Sequence, residues 1–186
     1  MAKTVLGTNE LTEVSFASGA ALTLSDGPLD LGWRHSGLTS DFLAETMALP
    51  FTGTRTVYTD VHHSIGYLSN ELIENAVKFR QPGDIVIEAC LVANAFLMRV
   101  RNEIDPVASI RFQHLLTGML SVDPGELLIR QIEANAASDS SGSGLGILTL
   151  LADYDIRLAW EFEDAEDQRV KLTTTASLPI PLSSNR

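Results

Sequence analysis

Apolar residues recur at Ile65, Leu68, Leu72, Ala76 and Phe79, at spacings of three and four. That period predicts a long helix, starting at about residue 57 or later and running to 79, with one buried stripe. Gln81-Pro82-Gly83-Asp84 ends it, and the pattern changes at once. Residues 85–91 and 96–101 are short β-prone runs joined by Val92-Ala93-Asn94, which together read as a hairpin. A long amphipathic helix followed by an antiparallel hairpin constrains the fold strongly. Each has one apolar face to bury, and a sheet covered on one side by helices satisfies both.

The flanking segments agree with that scheme. Residues 14–17 and 21–24 are short and β-prone, Ser25-Asp26-Gly27-Pro28 is a turn signal, and residues 29–33 can pair next. Thr39 or Ser40 can cap a helix carrying Phe42, Leu43, Met47 and Leu49, which Pro50 stops. Asp105-Pro106 reads as a cap with proline at the first helical position, and Asp123-Pro124 repeats the signal. Val107, Ile110, Leu115, Leu116 and Leu120 carry the helical period of the first of these helices, and Leu127, Leu128 and Ile132 that of the second. A Ser/Gly-rich segment at 138–143 breaks the pattern, a helix is expected over 144–154, and residues 156–162 and 170–175 read as two closing strands. The expected fold is an α/β (α+β) two-layer sandwich, with a mixed, mostly antiparallel sheet covered on one face by helices. With no repeat and no linker, residues 1–186 read as a single domain, in which 1–34 form an N-terminal strand extension.

Charge and cysteine content narrow the function. Lys and Arg number 13 against 24 Asp and Glu, a formal charge of −11. Sequence-independent binding to DNA or RNA needs clustered cations, so no nucleic-acid partner is expected. The single cysteine excludes an intramolecular disulfide and a Cys-pair zinc site. The densest apolar run, 89–98, is broken by Asn94 and falls well short of the ~20 residues that a membrane-spanning helix needs. Met1-Ala2-Lys3-Thr4 leads into polar residues rather than a signal-peptide core. A cytoplasmic protein with no membrane partner is expected.

Two segments can carry chemistry. In Glu71-Leu72-Ile73-Glu74-Asn75-Ala76-Val77-Lys78, Glu71 and Asn75 are four apart and share a helical face, with Lys78 near the same edge. A carboxylate, an amide and an ammonium then project together. They can orient a nucleophile, ligate Mg²⁺ through the amide oxygen and meet a phosphate. The same residues also read as an ordinary solvated face, in which Glu74 and Lys78 form an i,i+4 pair worth about 0.2–0.5 kcal/mol. The second segment, Gly142-Ser143-Gly144-Leu145-Gly146-Ile147, opens a helix. Its backbone N–H groups and the helix dipole can face an anion, and Ser141 and Ser143 add hydroxyl donors. A flexible glycine–serine loop that merely starts a helix is the plainer alternative.

In this order, Glu-x-x-x-Asn-Ala-x-Lys on a helix followed by Gly-x-Gly-Leu-Gly-Ile resembles the GHKL ATP-binding fold of gyrase, histidine kinases and the bacterial anti-sigma-factor serine kinases. Residues 71–78 resemble its N-box and residues 142–147 the glycine box after its ATP lid. The likeness covers about residues 35–165. A short chain without dimerisation helices or a phosphorylatable histidine box is most similar to the stand-alone anti-sigma-factor kinases. The long helical segment between Asn102 and the glycine box is most similar to the SiaB-like protein kinases, which act in partner switching and phosphorylate a small protein on a hydroxyl residue. The resemblance implies ATP or ADP and Mg²⁺ as cofactors. It makes Glu71 the general base toward the attacking hydroxyl. It makes Asn75 the ligand of a Mg²⁺ that bridges the phosphates, and Lys78 the cation that steadies their charge. Gly142, Gly144 and Gly146 would let the backbone approach the phosphates, with Ser141, Ser143 and Leu145 completing the loop. The implied partners are a STAS-domain antagonist with a Ser or Thr acceptor, and a sigma factor or a PP2C-type phosphatase of the same circuit. Homodimers are usual in this type.

One departure matters. The family places Asp-x-Gly-x-Gly after a strand, and its Asp accepts from the adenine amino group. Here the chain reads Val100-Arg101-Asn102-Glu103-Ile104-Asp105-Pro106, so Asn102 replaces the aspartate and both glycines are missing. A bond to a neutral acceptor is weaker than one to a charged acceptor by roughly 1 kcal/mol, about fivefold in affinity. The alternative is a non-catalytic interaction module that keeps the fold and has weakened or lost nucleotide binding. Elsewhere, His62 and His63 read as surface or helix-end residues ahead of the long helix, with no acidic ligand at metal spacing. His114 reads as helix surface, Cys90 as core and the acidic run from Glu161 to Asp167 as a solvated turn.

Overall fold

Six strands and five helices follow one another along the residues that the computed structural model describes, 3–25, 32–138, 145–165 and 168–181. Strands β1 (Lys3–Gly7) and β2 (Ala20–Leu24) precede helices α1 (Trp33–Ala48) and α2 (Arg55–Phe79). The hairpin β3 (Ile85–Val92) and β4 (Ala95–Ile104) leads into α3 (Pro106–Leu120), α4 (Pro124–Ser138) and α5 (Leu145–Asp153). Strands β5 (Arg157–Asp164) and β6 (Val170–Pro179) come last. The sheet order is β1-β5-β6-β4-β3-β2, and every pairing is antiparallel, in keeping with the mostly antiparallel sheet of the expected two-layer sandwich.

Alternation along the strands sets the layers. Phe96, Met98, Val100 and Ile104 of β4 are buried together with Leu158, Trp160 and Phe162 of β5 and Ile85 and Ile87 of β3. Helices α1 and α2 share that cluster through Leu43, Met47, Ile65, Leu68, Leu72 and Ile73. Each such side chain contributes about 1.5–3 kcal/mol on burial. The stripe expected on α2 is buried at Ile65, Leu68, Leu72 and Ala76, but Phe79 is 54% exposed. The helix ends there, and Arg80 leaves it to bridge Ile104 of β4, so the last stripe position has no sheet beneath it.

Several boundaries differ from expectation for local reasons. α1 starts at Trp33, ahead of the caps expected at Thr39 and Ser40. Gly32 N–H donates to His35 Nδ1 at 3.1 Å and serves the helix start, while Ser40 Oγ donates back to the Gly37 carbonyl inside the helix. His62 and His63 lie within α2 rather than ahead of it. His62 Nε2 is 3.3 Å from Glu45 Oε1, and Tyr58 donates its hydroxyl to Glu45 Oε2, so this cluster ties α2 to α1.

Residues 14–17 form no strand. β1 and β2 are the two edges of the sheet, so the chain between them must cross it. It crosses the face away from the helices, where Arg99 donates to the Val14 carbonyl at 3.0 Å and lies 4.5 Å over the Phe16 ring. Cys90 is buried as expected, but it lies beneath this crossing segment at Gly19, outside the helix-facing cluster. The acidic run is not wholly solvated either. Glu161 is buried in β5 and meets Lys3 Nζ at 2.7 Å, while residues 166 and 167 lie outside the described residues.

The Asp105 cap forms as expected. Its Oδ1 accepts from Val107 N–H at 2.8 Å and Ala108 N–H at 3.1 Å, an arrangement worth about 1 kcal/mol. The apolar period of α3 marks the wrong face, however. Leu116 is buried and Phe112 packs edge-on against Trp160 and Phe162, whereas Val107, Ile110, Leu115 and Leu120 are exposed. Among the described residues, no helix is long and apolar enough to cross a membrane.

Candidate functional site

The buried stripe of α2 fixes the rotation of the helix, so Tyr67, Glu71, Glu74, Asn75 and Lys78 share the opposite face. Glu71 and Asn75 are half-buried and Lys78 is exposed, its Nζ lying 5.1 Å over the Phe79 ring. The helix-turn connection brings the Lys78 end of α2 to the end of β4, where Gln81 N–H donates to the Glu103 carbonyl at 2.7 Å. Asn102 stands there in register with Leu172 of β6 and is 5% exposed. Its Nδ2 donates to the Glu103 carbonyl at 3.5 Å, a long bond.

Glu71 is covered by the first turn of α5. A Cβ on residue 146 would overlap the Glu71 carboxylate, with its other oxygen at 3.1 Å, so the carboxylate can lie against this turn of the helix only while residue 146 has no side chain. Two of the segments singled out from the sequence therefore meet in space. Leu145 opens α5 beside Gly146 and is half-buried. Ser141, Gly142, Ser143 and Gly144 lie outside the described residues.

The same contact involves residues that the sequence reading passed over. Tyr67, one turn before Glu71, is hydrogen-bonded to the Thr149 side chain and stacks on Tyr154, with ring centroids 5.4 Å apart. Its place on the Glu71 face was visible from the spacing of four. Thr149 and Tyr154 gave no local signal, because their partners lie on a distant helix.

Burial lifts the Glu71 carboxyl above its ordinary value, and the charge of Glu74 adds to the rise. Burial likewise lifts the Tyr67 hydroxyl, helped by Glu71 and partly offset by the bond to Thr149. For Glu71 the sign of the stability effect follows directly. Folding favours the protonated carboxyl, so its contribution is full below the unfolded-state value and is lost as pH rises through the folded-state value. Glu71→Gln, neutral throughout, is expected to melt at a higher temperature than the wild type at about pH 8, with the gap closing toward about pH 4. Thermal melts at the two pH values check this.

An amide oxygen, an ammonium and a carboxylate on one helical face fit a magnesium nucleotide. Among the described residues no group of three or more His, Cys, Asp or Glu could hold a metal. A cation at Asn75 would therefore take its remaining ligands from phosphate oxygens and water, as Mg²⁺ commonly does. Cavities of about 330 Å³ and about 150 Å³ lie elsewhere, and neither is lined by Glu71, Asn75, Lys78 or Asn102. No protein-family model, curated protein or solved structure matches the chain.

Proposed function

We propose that this chain binds ATP with Mg²⁺ and phosphorylates a partner protein on a hydroxyl residue, as a small regulatory kinase of a bacterial partner-switching circuit. The observation that carries the reading is the meeting of Glu71 with Gly146. A candidate base and the glycine at the second position of α5, far apart in sequence, are neighbours in the fold, which supports the reading.

When bound, ATP supplies the phosphoryl group, and Mg²⁺ neutralises charge on it. Asn75 would hold the ion through its amide oxygen, and Lys78 would offer its ammonium donors to phosphate oxygens. Glu71 accepts the proton of the attacking hydroxyl at a carboxylate oxygen. Its raised pKa brings it closer to the working pH, which strengthens a general base. Tyr67 and Thr149 hold α5 beside that carboxylate. Asn102 would accept from the adenine amino group in place of an aspartate. The partner of this reading is a STAS-domain protein in the cytoplasm, within a circuit that includes a sigma factor or a PP2C-type phosphatase.

Calorimetric titration with ATP and with ADP, each with Mg²⁺, tests the reading on the wild type and on Asn75→Ala. Micromolar binding that the substitution removes is the expected result. No heat and no thermal shift at millimolar nucleotide would sink it.

A second reading is a non-catalytic interaction module of the same fold. It is favoured by the start of α3 at Pro106, directly after β4, which leaves no glycine pair after Asn102. α3 also turns Val107, Ile110 and Leu115 to solvent, an apolar surface that a protein partner can cover. Nucleotide binding without phosphotransfer to any hydroxyl partner selects this reading.

A further inference from the structure

We infer that a second copy of this chain docks at the β2 end of the sandwich, edge strand to edge strand. Among the described residues no strand pairs with the outer side of β2, so the backbone groups along it are open. The two edges of the sheet are unlike. β1 carries Lys3, held over Glu161 and Glu163, and a lysine on an edge resists the addition of another strand. β2 reads Ala20-Ala21-Leu22-Thr23-Leu24, with no charge and no proline to deter one. Ala20, Leu22 and Leu24 pack against the core yet are only half-buried, so the apolar layer between sheet and helices is open at this end.

α1 continues the same opening. It lies over β3 while α2 lies over β4, so its side away from α2 faces the β2 end. Leu43 and Met47 enter the core, and Glu45 reaches Tyr58 and His62 of α2. Leu38 and Phe42 are left on the third side, with Leu49 just past the helix end, and all three are more than half exposed. A chain of charge −11 repels its own copy, so two copies can join only through a face that is charge-poor or self-complementary. This face is charge-poor along β2 and self-complementary along α1. A second β2 laid antiparallel, with Leu22 against Leu22, pairs all five residues and keeps the apolar row on the helix side. The two α1 helices then run antiparallel as well, which carries each Arg34 toward the Asp41 end of the other. Arg34, Leu38 and Asp41 share one row of α1, both charges are exposed, and neither has an ion pair among the described residues. None of these residues belongs to the nucleotide reading, so the two stand or fall separately.

Sedimentation velocity of the full chain across micromolar concentrations tests the assignment, and a reversible dimer is the expected result. Ala21 and Thr23 are exposed on the sheet face away from the helices, and each stands opposite the other across the junction. Ala21→Lys with Thr23→Lys therefore sets lysine against lysine, and is expected to weaken the dimer at least about tenfold. Phe42→Glu, at the exposed row of α1, is expected to do the same. Arg34→Glu alone is expected to weaken it, and Arg34→Glu with Asp41→Arg to restore it. Restoration by a charge swap is a result that a merely unfolded variant cannot give. A monomer at every concentration, which would leave the edge to a strand of another protein, overturns the assignment. So does a dimer that either the lysine pair or Phe42→Glu leaves unchanged, or a charge swap that fails to restore it.

Discussion

If the proposed kinase function holds, Glu71→Gln is expected to lower phosphotransfer to a partner's hydroxyl by about 10²–10⁴-fold, the usual share of a positioned general base. Nucleotide affinity is expected to stay close to that of the wild type, because the proposed function assigns the phosphates and their cation to Asn75 and Lys78, not to Glu71. The substitution keeps the shape of the side chain and removes a half-buried charge beside Glu74, so loss of the fold is not its expected consequence. Single-turnover phosphotransfer and calorimetry, run on the same preparations, separate the two effects. A parallel fall in rate and affinity would show that Glu71 holds the site together rather than moving a proton. An unchanged rate would remove it from the chemistry.

The second large effect is a reversal of sign at Gly146. In the second position of α5, an alanine would ordinarily stabilise the helix by about 1 kcal/mol over glycine. Here its Cβ would overlap the Glu71 carboxylate, which must swing away to admit it. That displacement offsets the helix gain, so Gly146→Ala is expected to leave stability unchanged or to lower it. In a Glu71→Ala background the obstacle is gone, and the same change is expected to stabilise by about 1 kcal/mol. Denaturant melts of the four proteins form a double-mutant cycle, and residues in contact show coupling of about 0.5–3 kcal/mol. Equal effects of the alanine in both backgrounds would mean that the two residues do not touch. In phosphotransfer the single substitution is expected to cost about 10²-fold, the scale of an ångström-sized misplacement of a reacting group.

Much of the candidate site was legible because its signals are local. Glu71, Asn75 and Lys78 share a face through helical spacing alone, and the buried stripe of Ile65, Leu68 and Leu72 tells which face that is. The aspartate cap at 105 is a contact within three residues and forms as read. Tyr154 and Thr149 were not legible. Their roles come from contacts with Tyr67 on another helix, and no pattern near them in sequence marks those contacts.

The same distinction runs through the fold. The order of helices and strands, the 85–104 hairpin and the polar face of α2 follow from periodicity, caps and turns, all of which act within a few residues. The interleaving of amphipathic helices with antiparallel hairpins also pointed to helices covering one side of a sheet, an arrangement that buries both kinds of apolar face. Only the tertiary structure decided that β1 and β2 take opposite edges, so that residues 14–17 cross the sheet instead of pairing. It alone decided that α3 buries Leu116 and packs Phe112 against the core while Val107, Ile110 and Leu115 face outward. It alone set Gly146 against Glu71. Which residue is covered depends on which distant segment arrives above it, and neighbours in sequence carry no record of that.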